Sequence, residues 1–109
     1  LYKNEKIILA KIPGYETFIS PDFYMINEKG NIITSDMLTN ATNHSLASNF
    51  KYFNVKSISQ KTKLVSYELE GKRHTSIWRR NEKWFLIYHQ ITAKSSPYKT
   101  RRYQITSLD

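Results

Sequence analysis

Three histidines, His44, His74 and His89, are the side chains in this sequence best suited to proton transfer near neutral pH. His89 stands out because it lies in a run, 84–92, that is almost unbroken in strand-favouring residues, with Tyr88 and Gln90 beside it. A histidine among strand aromatics can act as a general base or hold a polar atom of a ligand. Ser76 or a tyrosine hydroxyl would then be the electrophilic donor. The nearest acids in sequence, Glu82 and Glu70, are not placed to orient it, so the commoner outcome for such a residue is a buried, hydrogen-bonded structural histidine. Gln90 faces away from His89 on an ideal strand, and only a bulge would bring both to one pocket. No His-x-His or His-Glu-x-x-His spacing occurs, so no metal is expected. Asp22, Asp36, Glu68 and Glu70 do not sit inside apolar stretches that would raise a carboxyl pKa. The three glycines are far apart, which gives no phosphate-cradling loop, and the sequence calls for no cofactor.

The elements that would position these groups are mostly strands. Residues 74–79 and 84–92 form a hairpin around the polar Arg80-Asn81-Glu82-Lys83. A two-residue turn at Asn81-Glu82 predicts Trp78 opposite Phe85, Ser76 opposite Ile87 and His74 opposite His89. One face would carry those six, and the other Thr75, Ile77, Arg79, Trp84, Leu86 and Tyr88. Both faces are partly apolar, which suits a sheet covered by helices on one side and a second subunit on the other. Upstream, 50–59 and 62–70 alternate as strands, with Val65, Tyr67 and Leu69 on one face. A small hairpin, 23–27 and 32–34, turns at Gly30, and Phe23 and Met25 share one side. Ile7, Ile8, Ala10 and Lys11 suit a helix that Pro13-Gly14 stops. Residues 15–19 suggest a second short helix. A third, capped by Thr34 or Ser35 with Met37, Leu38 and Ala41 on one face, is expected to end at 44–47. The expected architecture is α+β: a curved antiparallel sheet of four long strands plus a short hairpin, covered by two or three N-terminal helices.

The pattern Ser76-Ile77-Trp78, a charged turn, then Trp84-Phe85-Leu86-Ile87-Tyr88-His89-Gln90-Ile91-Thr92 resembles the end of an NTF2-like domain, in the DUF4440 branch of the SnoaL-like group. Ser76, Trp78, Trp84, Leu86, Tyr88, His89, Gln90 and Thr92 carry the match, with Arg73 at a position that is often basic. Ser20-Pro21-Asp22-Phe23 resembles the family's entry into its first strand. The resemblance spans roughly residues 15–94. Two departures stand out: the turn lacks the usual glycine, and the long N-terminal helix is short or broken here. The resemblance implies a half-cone with an apolar pocket, and a homodimer through the outer sheet face. Tyr24, Tyr67, Ser76, Trp78 and His89 are the expected lining.

The chain of 109 residues is of single-domain size, with 1–94 the domain and 95–109 a polar basic tail set off by Lys94-Ser95-Ser96-Pro97. Apolar residues are only 39%, but eight Tyr, five Phe and two Trp can fill a core with few side chains. Nothing approaches the roughly 18 apolar residues that span a membrane. The absence of cysteine fits a reducing compartment, and a cytoplasmic protein is expected. A start at Leu1, without Met or an apolar leader, suggests a piece of a longer product or a removed tag. The net charge of +8 favours acidic partners. The lysines are nevertheless scattered, and the only adjacent cations are Lys72-Arg73, Arg79-Arg80 and Arg101-Arg102. This argues for solvated lysines over a nucleic-acid interface, which would concentrate them. Three functions follow in order of preference. The first is a binder of a small organic ligand in the cone. The second is an acid–base enzyme of isomerase, cyclase or hydrolase type with His89 as base. The third is a dimeric binding or assembly module whose basic surface uses Arg79, Arg80, Arg101 and Arg102.

Overall fold

The computed structural model describes residues 1–40 and 50–93. The elements in chain order are α1 (Tyr2–Leu9), a 3₁₀ turn (Tyr15–Phe18), β1 (Ile19–Ile26), β2 (Ile32–Thr34) and a second 3₁₀ segment (Ser35–Asn40). Four long strands follow: β3 (Lys51–Ser59), β4 (Thr62–Leu69), β5 (Lys72–Asn81) and β6 (Lys83–Ala93). All six strands form one curved, open sheet in the order β2-β1-β6-β5-β4-β3. The α+β class is as the sequence indicates. The sheet is mixed, however, because β1 runs parallel to β6, with Met25 opposite His89. The N-terminal hairpin is thereby part of the main sheet, not an appendage to it.

Among the described residues the helical cover is thinner than expected. There, only α1 is an α-helix, and it has two turns. Pro13-Gly14 follows it, and the N–H groups of Lys11 and Ile12 close back on the carbonyls of Ile8 and Ile7. Lys11 (φ 51°) and Gly14 (φ 94°) both take left-handed backbone there, which swings the chain off the helix axis. In the second 3₁₀ segment Leu38 is buried while Met37 stays half exposed. The expected continuation of that helix to 44–47, the tail 95–109 and its boundary at 94 lie outside the described residues. So do His44, Arg101 and Arg102.

Alternation along the strands sets the core. Phe23 and Met25 of β1, Val65, Tyr67 and Leu69 of β4, and Trp78 of β5 all point inward, each strand's set sharing one face as its alternation predicts. The edge strand β3 is mostly exposed, and its pairing with β4 shifts between Lys51 and Asn54 and again between Ser57 and Ser59. Such irregularities and the edge lysines discourage pairing with a foreign strand.

The β5–β6 register corrects the expectation. The turn is one residue, Glu82, with Asn81 facing Lys83 across it, so Trp78 meets Leu86 and not Phe85. A second shift, between Ile77 and Trp78, then leaves Ile87 as an extra residue on β6. This bulge flips the inward phase of β6 from even to odd positions. Ser76 therefore faces His89, and His74 faces Ile91. Phe85 and Ile87 leave the inner face that a two-residue turn would have given them.

Glu82 holds φ at 70° where the resemblance leads one to expect glycine. A side chain in this region costs about 1 kcal/mol, partly offset by the greater freedom of glycine in the unfolded chain. Glu82→Gly should therefore raise stability by about 0.5 kcal/mol in a denaturant melt. A clear loss would show that the Glu82 side chain contributes contacts that outweigh its backbone strain.

Candidate functional site

The interior of the sheet is built around a carboxylate from α1. The two-turn helix has no side-chain cap and is held down by Glu5 and Ile8, both buried. Glu5 is 1% exposed. Its Oε1 accepts a hydrogen bond from the Tyr67 hydroxyl at 2.6 Å, and its Oε2 accepts one from the Trp78 indole N–H at 2.7 Å. Burial raises the Glu5 pKa, and hydrogen bonds from Ser76, Tyr67 and Trp78 pull against that rise. Tyr67 in turn is pushed well above the usual phenol range, by its own burial first and by the Glu5 charge second.

β5 and β6 extend this cluster. The Ser76 hydroxyl lies 2.6 Å from His89 Nδ1, and His89 Nε2 lies 2.8 Å from His74 Nδ1. When Glu5 is ionised it can only accept, so in that state Ser76 donates to it and accepts from His89 Nδ1. His89 Nε2 then accepts from His74 Nδ1. The hydrogen bonds thus run in one direction, from His74 through His89 and Ser76 to Glu5. The ionised form of Glu5 thus selects one tautomer of each histidine, and protonation of Glu5 releases that choice. Tyr67 stacks on His74 with ring centres 5.1 Å apart. Among the described residues no buried side-chain polar atom lacks a partner.

Beside this network, under α1, is a cavity of about 80 Å³. Ile8, Phe23, Met25, Leu38, Leu86 and Ile91 supply its apolar walls, while Glu5, His89 and Lys11 contribute its charged or polar edges. Among the expected lining residues, His89 reaches this cavity. Tyr67, Ser76 and Trp78 stand behind it as the partners that hold Glu5 and His89. Tyr24 is on the opposite face of the sheet, 44% exposed and packed edge-on to Tyr88 at 5.1 Å. Strand alternation sends Phe23 and Met25 inward and so sends Tyr24 out. Glu5 was missed by sequence reasoning. It is the carboxylate that seemed to be lacking near His89, and it acts one hydroxyl away, through Ser76. Among the described residues no group of three His, Cys, Asp or Glu could hold a metal ion.

No family model and no curated protein matches the sequence. Solved structures do match. An NTF2-like protein from Cytophaga hutchinsonii superposes with a TM-score of 0.67 at 18% identity, covering 84% of this chain and 93% of its own. An NTF2-like protein of unknown function in nutrient uptake from Rhodospirillum rubrum gives 0.69 at 15% identity, covering 86% and 93%. This chain has the NTF2-like fold. The same NTF2-like sheet is similar to the CamKII hub homology domain of Chlamydomonas reinhardtii, with a TM-score of 0.58 at 10% identity over 86% of this chain and 92% of that one. No helix among the described residues is long and apolar enough to cross a membrane.

Proposed function

We propose that this NTF2-like chain is a binding domain that takes a small organic molecule into the cavity beneath α1. The observation that carries this reading is an apolar cavity bordered by two buried polar groups, Glu5 and His89, that are already fixed in place. A volume of about 80 Å³ is small beside the roughly 300–1,000 Å³ of pockets that hold drug-sized ligands. The ligand is therefore short, or enters with one apolar end while the rest stays at the mouth near Lys11. The acid–base alternative is the weaker one, because both ring nitrogens of His89 are engaged, by Ser76 and by His74. Placement in the DUF4440 branch rests on the hairpin residues Ser76, Trp78, Trp84, Leu86, Tyr88, His89, Gln90 and Thr92, and a cytoplasmic location on the lack of cysteine.

The test is a thermal-shift screen with small carboxylates, aromatic metabolites and steroids. A true ligand should raise the melting temperature by several degrees. The shift should vanish in Ile91→Phe, which puts a ring into the cavity from a half-buried wall position. A shift that persists in Ile91→Phe, or no shift with any compound, would count against the cavity.

A second reading, that the domain works as a homodimer, is supported by the outer face. Strand register aligns Leu64, Ile77, Tyr88 and Tyr24 in one row across β4, β5, β6 and β1. The similarity to a hub homology domain points the same way. Ile77→Lys sets a charge in the middle of that row. Light scattering should then find a dimer for the wild type and a monomer for the variant. A monomeric wild type or a dimeric variant would reject this interface.

A further inference from the structure

The cations scattered through the sequence are gathered by the strand register. The β3–β4 turn and the β5–β6 turn lie at the same end of the sheet, fastened by a 2.8 Å bond from the Arg80 N–H to the Lys61 carbonyl. Lys61, Lys63, Arg79, Arg80 and Lys83 therefore crowd one end, with Glu82 the acid among them. Lys61, Arg79, Arg80 and Lys83 are exposed. Arg79 and Arg80, as neighbours on one strand, project to opposite faces of that end. A depression of about 280 Å³ between the turns is lined by Gln60, Lys61, Arg80, Asn81 and Glu82, none of them apolar. Three rings flank the cations: the Lys63 ammonium lies 5.4 Å from the Trp84 ring centre, and that of Lys83 lies 5.4 Å from Phe18 and 5.3 Å from Phe85.

We propose that this end of the sheet is a docking surface for single-stranded nucleic acid. An acidic protein segment is usually held by apolar anchors in a pocket, and this depression offers none. A phosphate backbone needs only charge along its path, and one that wraps around this end of the sheet meets a guanidinium on each face with ammonium groups beside them. The half-buried rings of Trp84 and Phe85 lie beside those charges, one on each face of the sheet, and each leaves part of its surface where an unstacked base can pack. This surface lies outside the lining of the α1 cavity, so it stands or falls independently of the ligand reading.

The experiment is fluorescence anisotropy of a labelled mixed-sequence single-stranded DNA of about 15 nucleotides, titrated with the whole chain at 50 and 200 mM salt. Four phosphate contacts on a single strand give a log–log salt slope near −3, so affinity should fall about 50-fold between the two conditions. Combined Lys61→Gln, Arg79→Gln and Arg80→Gln should weaken low-salt binding at least tenfold. Combined Lys3→Gln, Lys29→Gln and Lys56→Gln, which removes equal charge from exposed positions elsewhere, should change it by less than about twofold. The proposal is overturned by no binding at low salt, or by equal losses in the two triple variants. Equal competition by a polyglutamate peptide of matched charge would also overturn it, and would assign the surface to an acidic protein segment.

Discussion

Glu5→Ala should lower stability by about 3 kcal/mol, because it leaves the Trp78 N–H and the Tyr67 and Ser76 hydroxyls without an acceptor in a site with little access to water. For a chain of this size the melting temperature should fall by more than about 10 °C. A loss below about 1 kcal/mol would mean that water replaces the carboxylate. Glu5→Gln separates charge from shape. Its amide oxygen can still accept from Trp78, and the Tyr67 hydroxyl can turn to accept from its NH₂. The pH dependence has a definite sign. The folded protein holds the Glu5 proton more tightly than the unfolded chain does. The contribution of Glu5 to stability is therefore complete below the ordinary carboxylate range, and is lost as pH rises through its raised folded value. The stability of Glu5→Gln should accordingly gain on wild type in melts between about pH 4 and pH 8. A constant difference across that range would show that the Glu5 pKa is the same in both states.

Trp78→Ala should cost about 4 kcal/mol, since the indole is fully buried and its removal leaves a cavity at the centre of β5 as well as an unpaired Glu5 oxygen. That is a large part of the 5–15 kcal/mol that usually holds a domain of this size, so the variant should be poorly soluble or melt near room temperature. Trp78→Phe keeps a large ring and removes the N–H alone. It should cost about 1–2 kcal/mol and remain foldable. In a double-mutant cycle with Glu5→Gln, the Trp78→Phe change should couple by at least about 0.5 kcal/mol. Strict additivity would show that the 2.7 Å contact carries no net energy.

Much of the architecture was legible from the sequence because strands announce themselves by alternation. Phe23 and Met25 share a face, as do Val65, Tyr67 and Leu69, as their spacing indicates; for β1 the expected inward face is that of Tyr24, and the actual one is the other. Ser76 and Trp78 were expected inside from the resemblance of the hairpin to an NTF2-like domain, since alternation left both faces of that hairpin partly apolar. Glu5 was not. In Leu1-Tyr2-Lys3-Asn4-Glu5-Lys6 it is flanked by polar residues and lysine and has the look of a solvated helix position. Its burial is decided by Tyr67 and Trp78, which are 62 and 73 residues away. The Ile87 bulge was hidden for another reason. No glycine or proline marks it, and it becomes necessary only once the one-residue turn at Glu82 has moved the register. The parallel pairing of β1 with β6 belongs to the same class, since no local signal says which distant strand a short hairpin will join. These non-local decisions are the ones that complete the network around His89.

The neighbouring positions of β1 and β6 bear on how the chain comes to fold. Met25 pairs with His89, and Glu5 waits for Trp78, so the first third of the sequence cannot be secured until the last strand exists. Contacts of such wide sequence separation slow folding, toward the millisecond-to-second range typical of non-local sheets. At about 5–20 residues added per second, a ribosome exposes Ile19–Ile26 for several seconds before its partner emerges. During that interval the apolar side of β1 has no sheet to cover it, and a chaperone would find it there.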